Sequence, residues 1–379
     1  MSVSPMDCDP YKIGCANGIL HLRTIVYDKN GKAVSYKAEL RPGTPEDYVS
    51  FQAGVSNGAF DPIDYEPYDP THPDVAELMR FFGLIFPDPE LREFVLTLAA
   101  GCLEGDNREQ SFYIMSGSGS NGKSKFINLM EYTLGDYTSS LSPTIITRNI
   151  QNKQAALTHL KKTINRRFIS VSEPDEGEKI NSSIIKQLSG GDNMMVRGLY
   201  KEQEQIKVSG KVFLVMNRIP PIESMDGATW RPIKVIPFVA KFLDAGHPQI
   251  DPEQYCYEKD PSLDHKLIKW RKAFFSLLVH YYETKYCPNG IRKFPDRVNH
   301  YQTYTESYNK ESYNKFVSEH IRPVKQFTFK EIYKHYKDWV KSNIMSEGNI
   351  ISENEMKERL FEDYGKPQDG KTFTNIVLI

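Results

Sequence analysis

The chain has 379 residues, enough for two or three domains and a sizeable core, and its apolar (39%) and charged (26%) fractions are those of an ordinary globular protein. A formal net charge of −1 argues against a generally basic nucleic-acid binder and leaves only a local basic surface for such a role. Cys8, Cys15, Cys102, Cys256 and Cys287 form no CxxC pair, which argues against a zinc site or disulfide framework and suits a reducing compartment, and no apolar stretch is long enough to span a membrane.

Residues 1–70 read as turns and short strands. Gly14, Asn17-Gly18, Asn30-Gly31, Pro42-Gly43 and Asn57-Gly58 punctuate apolar runs such as Ile19-Leu20-His21-Leu22. Residues 61–73, rich in proline, aspartate and tyrosine, read as an extended connector. Two helices are expected next. Asp74 is placed to cap the first, with Val75, Leu78, Met79, Phe82 and Ile85 on one face. Asp88-Pro89-Glu90 starts the second, with proline at the first helical position and Leu91, Phe94, Val95 and Leu98 at helical spacing.

Residues 110–240 alternate strands and helices, the pattern of an α/β core around a largely parallel sheet. Strands are expected at 112–115, 168–172, 212–216 and 233–238. Between them the sequence predicts a helix from Phe126, a polar loop over 135–154, a helix over 155–162, a helix over 182–188 capped by Asn181, and a strand pair over 193–210. The remainder is mainly helical: one helix over 263–286, a tyrosine-rich helical stretch over 296–320, amphipathic helices over 329–344 and 353–364, and a terminal strand over 373–379. Helices followed by a strand are compatible with a winged-helix module. The chain thus divides into an N-terminal region, 1–107, mainly helical in its second half; an α/β core, 108–245; and a mainly helical region, 246–379.

The chemistry gathers at the strand ends, where open α/β sheets bind ligands. Gly117-Ser118-Gly119-Ser120-Asn121-Gly122-Lys123-Ser124 joins the strand Phe112-Tyr113-Ile114-Met115 to a helix and fits the P-loop pattern. Its glycines let backbone N–H groups approach phosphate, and the helix N-terminus adds a positive dipole end. Lys123 would reach the β- and γ-phosphates of a nucleoside triphosphate, and the Ser124 hydroxyl would ligate Mg²⁺. After the second clear strand stands Glu173, an acid able to orient a water or help hold Mg²⁺. After the third stands Asn217, an amide able to bond the γ-phosphate or the attacking water. Taken alone, Glu173 in its acidic loop and Asn217 at a turn also fit plain solvated residues; their spacing from the P-loop favours the site.

Arg231 follows, as an arginine able to reach a neighbouring subunit's γ-phosphate or, alternatively, to form a surface ion pair. The strand pair over 193–210 can project away from the nucleotide. Arg197, Lys201 and Lys207 would supply charge to its flanks or tip, either simply solvated or contacting DNA phosphates without regard to sequence.

Several segments occur in order: Asn121-Gly122-Lys123-Ser124; Glu173-Pro174; Ile185-Lys186-Gln187-Leu188-Ser189-Gly190-Gly191-Asp192; Arg197-Gly198-Leu199-Tyr200; Met216-Asn217-Arg218-Ile219-Pro220; and Trp230-Arg231 to Ile236-Pro237-Phe238. Together they resemble the superfamily 3 helicases, specifically the poxvirus-type primase-helicases of large DNA viruses and related phages. Upstream, Asn17-Gly18-Ile19 and the two helices to Cys102 look like that family's helicase-associated region.

The resemblance implies an AAA+-like core, ATP with Mg²⁺ at subunit interfaces, and a ring, usually a hexamer, that unwinds DNA at a replication fork. It implies a soluble, intracellular protein at a site of viral replication in host cytoplasm or nucleus, with no membrane partner. It assigns Lys123 and Ser124 to phosphate and Mg²⁺, Glu173 to the Walker B acid and Mg²⁺, Asn217 to the sensor, Arg231 to the arginine finger, and residues 192–208 to the DNA-gripping pore hairpin. Two departures stand out. Pro232 replaces a second basic residue after the finger, leaving Arg231 alone with Arg218 as a fallback, and Ser172 replaces a first acid before Glu173, so that one acid does both jobs or Asp175 helps. No primase domain is evident, and a fragment of a longer primase-helicase or a stand-alone helicase is expected. A double-stranded DNA translocase or packaging motor, and a nucleotide-gated DNA-binding or loading module, are the alternatives.

Overall fold

The structure, a computed structural model, describes residues 6–55, 60–147, 158–175, 178–191, 193–197, 203–217, 231–298, 317, 321–344, 351–365, 367 and 372–378. It divides into two compact units. The first spans residues 1–174, 181–219 and 224–299; the second spans 175–180, 220–223 and 300–379. The boundaries expected at 107 and 245 both fall inside the first unit.

The first unit opens with a three-stranded antiparallel sheet: β1 (Lys12–Cys15), β2 (Gly18–Tyr27) and β3 (Ala33–Arg41). The N-terminal region is therefore a sheet followed by helices. The strands are longer than the turn spacing implied, because β2 and β3 continue past the glycines through an alternating pattern whose inward members, Leu20, Leu22 and Ala38, are buried. Helices α1 (Pro73–Ile85) and α2 (Pro89–Gly101) follow. Asp88 caps α2 by accepting from the Glu90 and Leu91 amides. The α1 cap is His72 rather than Asp74: Pro73 takes the first helical position and holds His72 in extended backbone, from which its imidazole accepts from the Asp74 amide.

The core is a five-stranded, wholly parallel sheet. In spatial order it comprises β10 (Ile233–Pro237), β4 (Phe112–Ser116), β9 (Lys211–Met216), β6 (Phe168–Val171) and β5 (Thr138–Leu141). The runs of β4, β9 and β6, and of the edge strand β10, are almost continuously apolar and buried, as a sheet covered on both faces requires. β5 lies inside the expected polar loop of 135–154. Its sequence, Thr-Ser-Ser-Leu, has the polar, short character of an edge strand, and pairing with β6 alone makes it one.

Helix α3 (Lys123–Leu134) follows β4 and packs on the same side as α1, α2, α5 (Leu263–Lys269) and α6 (Arg271–Tyr281). The helix expected over 263–286 is interrupted at Trp270, whose indole donates to Glu77 at 2.8 Å, and it ends in a wide turn closed by Cys287 N–H donating to Tyr282 C=O. Phe82, Phe86, Phe126 and Phe238 meet with ring centroids 4.7–6.4 Å apart, joining α1, α3 and the end of β10 beneath the glycine-rich loop. Burying each ring stabilises the unit by roughly 1.5–3 kcal/mol. Helix α4 (Ser182–Gly190), capped by Asn181 as expected, leads to the antiparallel pair β7 (Asn193–Arg197) and β8 (Gln203–Lys207), and beyond β10 the short strands β11 (Lys241–Leu243) and β12 (Cys256–Glu258) pair in parallel.

The second unit contains β13 (Ile321–Thr328), α7 (Phe329–Ile344), α8 (Glu353–Tyr364) and β14 (Thr372–Leu378), with β13 and β14 antiparallel. Both helices lie where their amphipathic spacing puts them. β13 lies inside the interval the sequence left between helices, and Pro323 and two register shifts blur its alternation. The tyrosine-rich stretch expected over 296–320 falls almost wholly outside the described residues.

Candidate active site

The parallel register puts the carboxyl ends of β4, β9 and β6 side by side, with β9 between the other two. Residues 117–122 loop out of β4 and enter α3 directly. Gly122 (φ 89°) and Gly119 (φ 71°) occupy left-handed backbone that glycine adopts without strain, and a Cβ on Gly117 would collide with the Phe238 carbonyl at 2.4 Å. Gly122 is the N-cap of α3 and supplies no side-chain cap, and the Lys123 N–H makes only a long 3.5 Å bond to Asn121 Oδ1, so the first turn keeps amides for a ligand. That donor set, with Lys123 inside it and the exposed Ser124 at its rim, fits a polyphosphate and its Mg²⁺.

Lys123 is only 4% exposed. Its ammonium donates to the Gly117 carbonyl, to Asn121 Oδ1 at 3.1 Å and to Asn217 Oδ1 at 3.3 Å. Burial pushes its amine down to about 8, against the opposing pull of the Glu173 carboxylate. Asn217 also binds Glu173: its backbone N–H donates to Oε1 and its Nδ2 to Oε2, both at 2.9 Å. Lys123, Asn217 and Glu173 thus form one chain of hydrogen bonds across adjacent strand ends. Both Asn217 and Glu173 are exposed at the edge, open to a substrate or water.

A second brace was not legible in the sequence. β10 pairs with β4, so the chain leaving β10 runs alongside the loop: Phe238 N–H donates to Ser116 C=O and Phe242 N–H to Ser120 C=O, both at 2.7 Å. The buried Asn121 (3% exposed) donates to the Phe238 carbonyl at 3.4 Å. Only the strand order, which no local pattern encodes, brings residues 238–242 here.

Arg231 does not join this group. Ile233 pairs with Phe112 and Pro237 with Ser116, so Arg231 lies exposed at the amino edge of the sheet, roughly 20 Å from the loop at the usual strand rise. In the β7–β8 pair, Lys207 is exposed at the base opposite Asn193, while Arg197 ends β7 opposite Gln203. Lys201 and Arg218 lie outside the described residues. Buried Met194 and Ile206, paired across the base, anchor the hairpin. A surface groove of about 470 Å³ beside α2, lined in part by Glu90, Phe94 and Arg292, includes none of the residues above. Among the described residues no helix is long and apolar enough to cross a membrane, and none of the five cysteines is in a disulfide.

The fold and loop define a parallel α/β protein with a strand–loop–helix of P-loop form. No protein-family model matches the chain. Sequence relatives place it more closely. It is 32% identical over 349 residues to "Putative helicase L207/L206" of Acanthamoeba polyphaga mimivirus, which covers 89% of this chain and 34% of that protein. It is 28% identical over 313 residues to "Putative helicase 022R" of Frog virus 3, covering 79% and 31%, and 23% identical over 385 residues to "Putative primase C962R" of African swine fever virus, covering 98% and 37%. The chain is a homologue of these helicase- and primase-named proteins of large DNA viruses and spans about a third of their length. Among solved structures, "The apo structure of NrS-1 C terminal region (305-718)" is 11% identical with a TM-score of 0.41, over 93% of this chain and 84% of that one. A JCV Helicase crystal structure is 11% identical with a TM-score of 0.30, over 53% and 51%. At these scores the likenesses carry no argument.

Proposed function

We propose that the chain is the motor part of a superfamily 3 DNA helicase of viral replication, an AAA+-like ATPase that acts as a ring, with residues 108–245 as its core. The observation that carries this is the hydrogen-bonded convergence of Lys123, Asn217 and Glu173 on adjacent parallel strand ends around a P-loop. The loop amides and Lys123 would hold the triphosphate of ATP, and Ser124 with Glu173 would hold Mg²⁺, which would supply charge neutralisation of the phosphate oxygens. Glu173 orients the attacking water and accepts its proton; Asn217, bonded to both Lys123 and Glu173, keeps the acid and the phosphate-binding cation in register. Arg231 serves a neighbour's nucleotide in a ring, of six subunits by family resemblance; its position at the sheet edge opposite its own chain's loop supports this reading. Arg197, Lys201 and Lys207 on or beside the β7–β8 hairpin grip the DNA backbone as it passes. The homologues' names support replication as the setting, with a primase domain as a partner elsewhere in a longer chain; the second unit is read as a winged-helix-like appendage from its order of two helices and a following strand. The protein works inside the infected cell, in cytoplasm or nucleus.

The test is a pair of substitutions. Glu173→Gln should retain ATP binding and lose hydrolysis and forked-DNA unwinding by about a hundredfold or more, the usual scale for a positioned general base. Lys123→Ala should lose binding as well. ATP turnover within a few-fold of the parent in either variant would refute the site.

A further inference from the structure

The hairpin of β2 and β3 outgrows its sheet. β1 pairs with β2 only over Gly18–His21, so Thr24–Tyr27 and Ala33–Lys37 run on as a two-stranded ribbon without a third strand. Its base is held firmly. Arg23 makes a short ion pair with the fully buried Glu104, bonds the Tyr282 and Tyr11 hydroxyls at 3.1 and 3.2 Å, and lies over the Tyr11 ring; the Ala38 amide donates to Glu283 at 2.7 Å. The tip is a tight turn. Asp28 Oδ1 accepts from the Asn30 and Lys32 amides, and Gly31 sits at φ 77°.

This rigid ribbon carries an unusual surface. Ile25 stands directly opposite Tyr36, with Tyr27 and Val34 two residues further along each strand, and these four side chains are 42%, 37%, 59% and 57% exposed. Lys29 and Lys32 flank the turn, and Lys37 follows Tyr36 on the other face of the ribbon, all exposed and without a carboxylate partner among the described residues. The nearby acids are engaged: Asp28 by the turn, and Glu39 by Arg41 at 2.7 Å. Exposed tyrosines beside unpaired lysines are the combination that binds single-stranded nucleic acid, with bases on the rings and phosphates on the ammonium groups. A protein partner fits less well, because stable interfaces need about 800 Å² from each side and are depleted in lysine.

We propose that the β2–β3 ribbon is a binding site for single-stranded nucleic acid, with Tyr27 and Tyr36 stacking on bases and Lys29 and Lys32 holding the backbone. It is separate from the β7–β8 hairpin and requires no nucleotide. The test measures binding of a fluorescein-labelled oligothymidylate to the full chain by anisotropy, without ATP, across a salt series. Tyr27→Ala/Tyr36→Ala should weaken binding about tenfold or more with little change in salt slope, while Tyr27→Phe/Tyr36→Phe keeps it, since the ring does the stacking. Lys29→Gln/Lys32→Gln should lower the slope of log K against log salt by about 1.4, two phosphate contacts at about 0.7 each. Photo-cross-linking of an iododeoxyuridine strand should mark the peptide carrying Tyr27 or Tyr36. Affinity and slope unchanged in both pairs, or cross-links only elsewhere, would overturn the proposal. So would a loss of binding that appears only with a fall in oligomer mass by light scattering, which assigns the ribbon to contacts between copies. The measurement uses no ATP, so failure of the motor and failure of this site give separate results.

Discussion

At Lys123 the ammonium is enclosed by carbonyl and amide oxygens, and burial loosens its hold on its proton. Below about pH 8 the free protein carries the charge a phosphate needs; above it, binding a triphosphate has to return the proton first. Nucleotide affinity should therefore be flat to about pH 7.5 and then fall, by up to about tenfold per pH unit. Calorimetry near pH 8.5 in two buffers of different ionisation enthalpy should show net uptake of about 0.5–1 proton per nucleotide. Constant affinity from about pH 7 to 9 would remove Lys123 from the phosphate contact. The positions of Lys123 and Ser124 in a glycine-rich loop, and of Glu173 and Asn217 just past recognisable strands, were legible in the sequence. The partners that tie them together were not: the Asn217–Glu173 and Asn121–Phe238 bonds span 44 and 117 residues.

Among the elements, β9 is held at both ends by polar contacts. At its carboxyl end Asn217 completes the site. At its amino end Lys211 is fully buried, 3.2 Å from the Glu109 carboxylate and bonded to the Tyr286 hydroxyl at 3.1 Å and the Asp106 carbonyl at 2.8 Å. Removing one partner of such a pair leaves an uncompensated buried charge. Glu109→Ala should lower the stability of the first unit by about 3–5 kcal/mol, whereas Glu109→Leu/Lys211→Met should recover most of it. The urea midpoint followed by tryptophan fluorescence reads both, and equal midpoints for parent and Glu109→Ala would deny the pair its role. Amphipathic helices α7 and α8 declared themselves by spacing. β5 and β13 did not, because an edge strand of serine and threonine, or one broken by proline and register shifts, has no alternation to read.

For the whole molecule, the parallel register sends the P-loop and Arg231 to opposite edges of one sheet. If Arg231 completes a neighbour's site, Arg231→Ala and Lys123→Ala subunits, each inactive alone, should regain ATP hydrolysis when mixed, at interfaces joining an intact Lys123 to an intact Arg231. No recovery in rings shown by mass spectrometry to contain both would count against it. The sequence alone determined the P-loop, the acid and amide after their strands, and the α/β alternation, because glycine geometry, hydrophobic period and helix caps are local properties of consecutive residues. Only the tertiary structure decided which strands are neighbours. Strand order is set by packing between distant segments. It is strand order that places Asn217 between Lys123 and Glu173 and runs residues 238–242 along the loop, and the parallel register that leaves Arg231 at the opposite edge of the sheet from that loop.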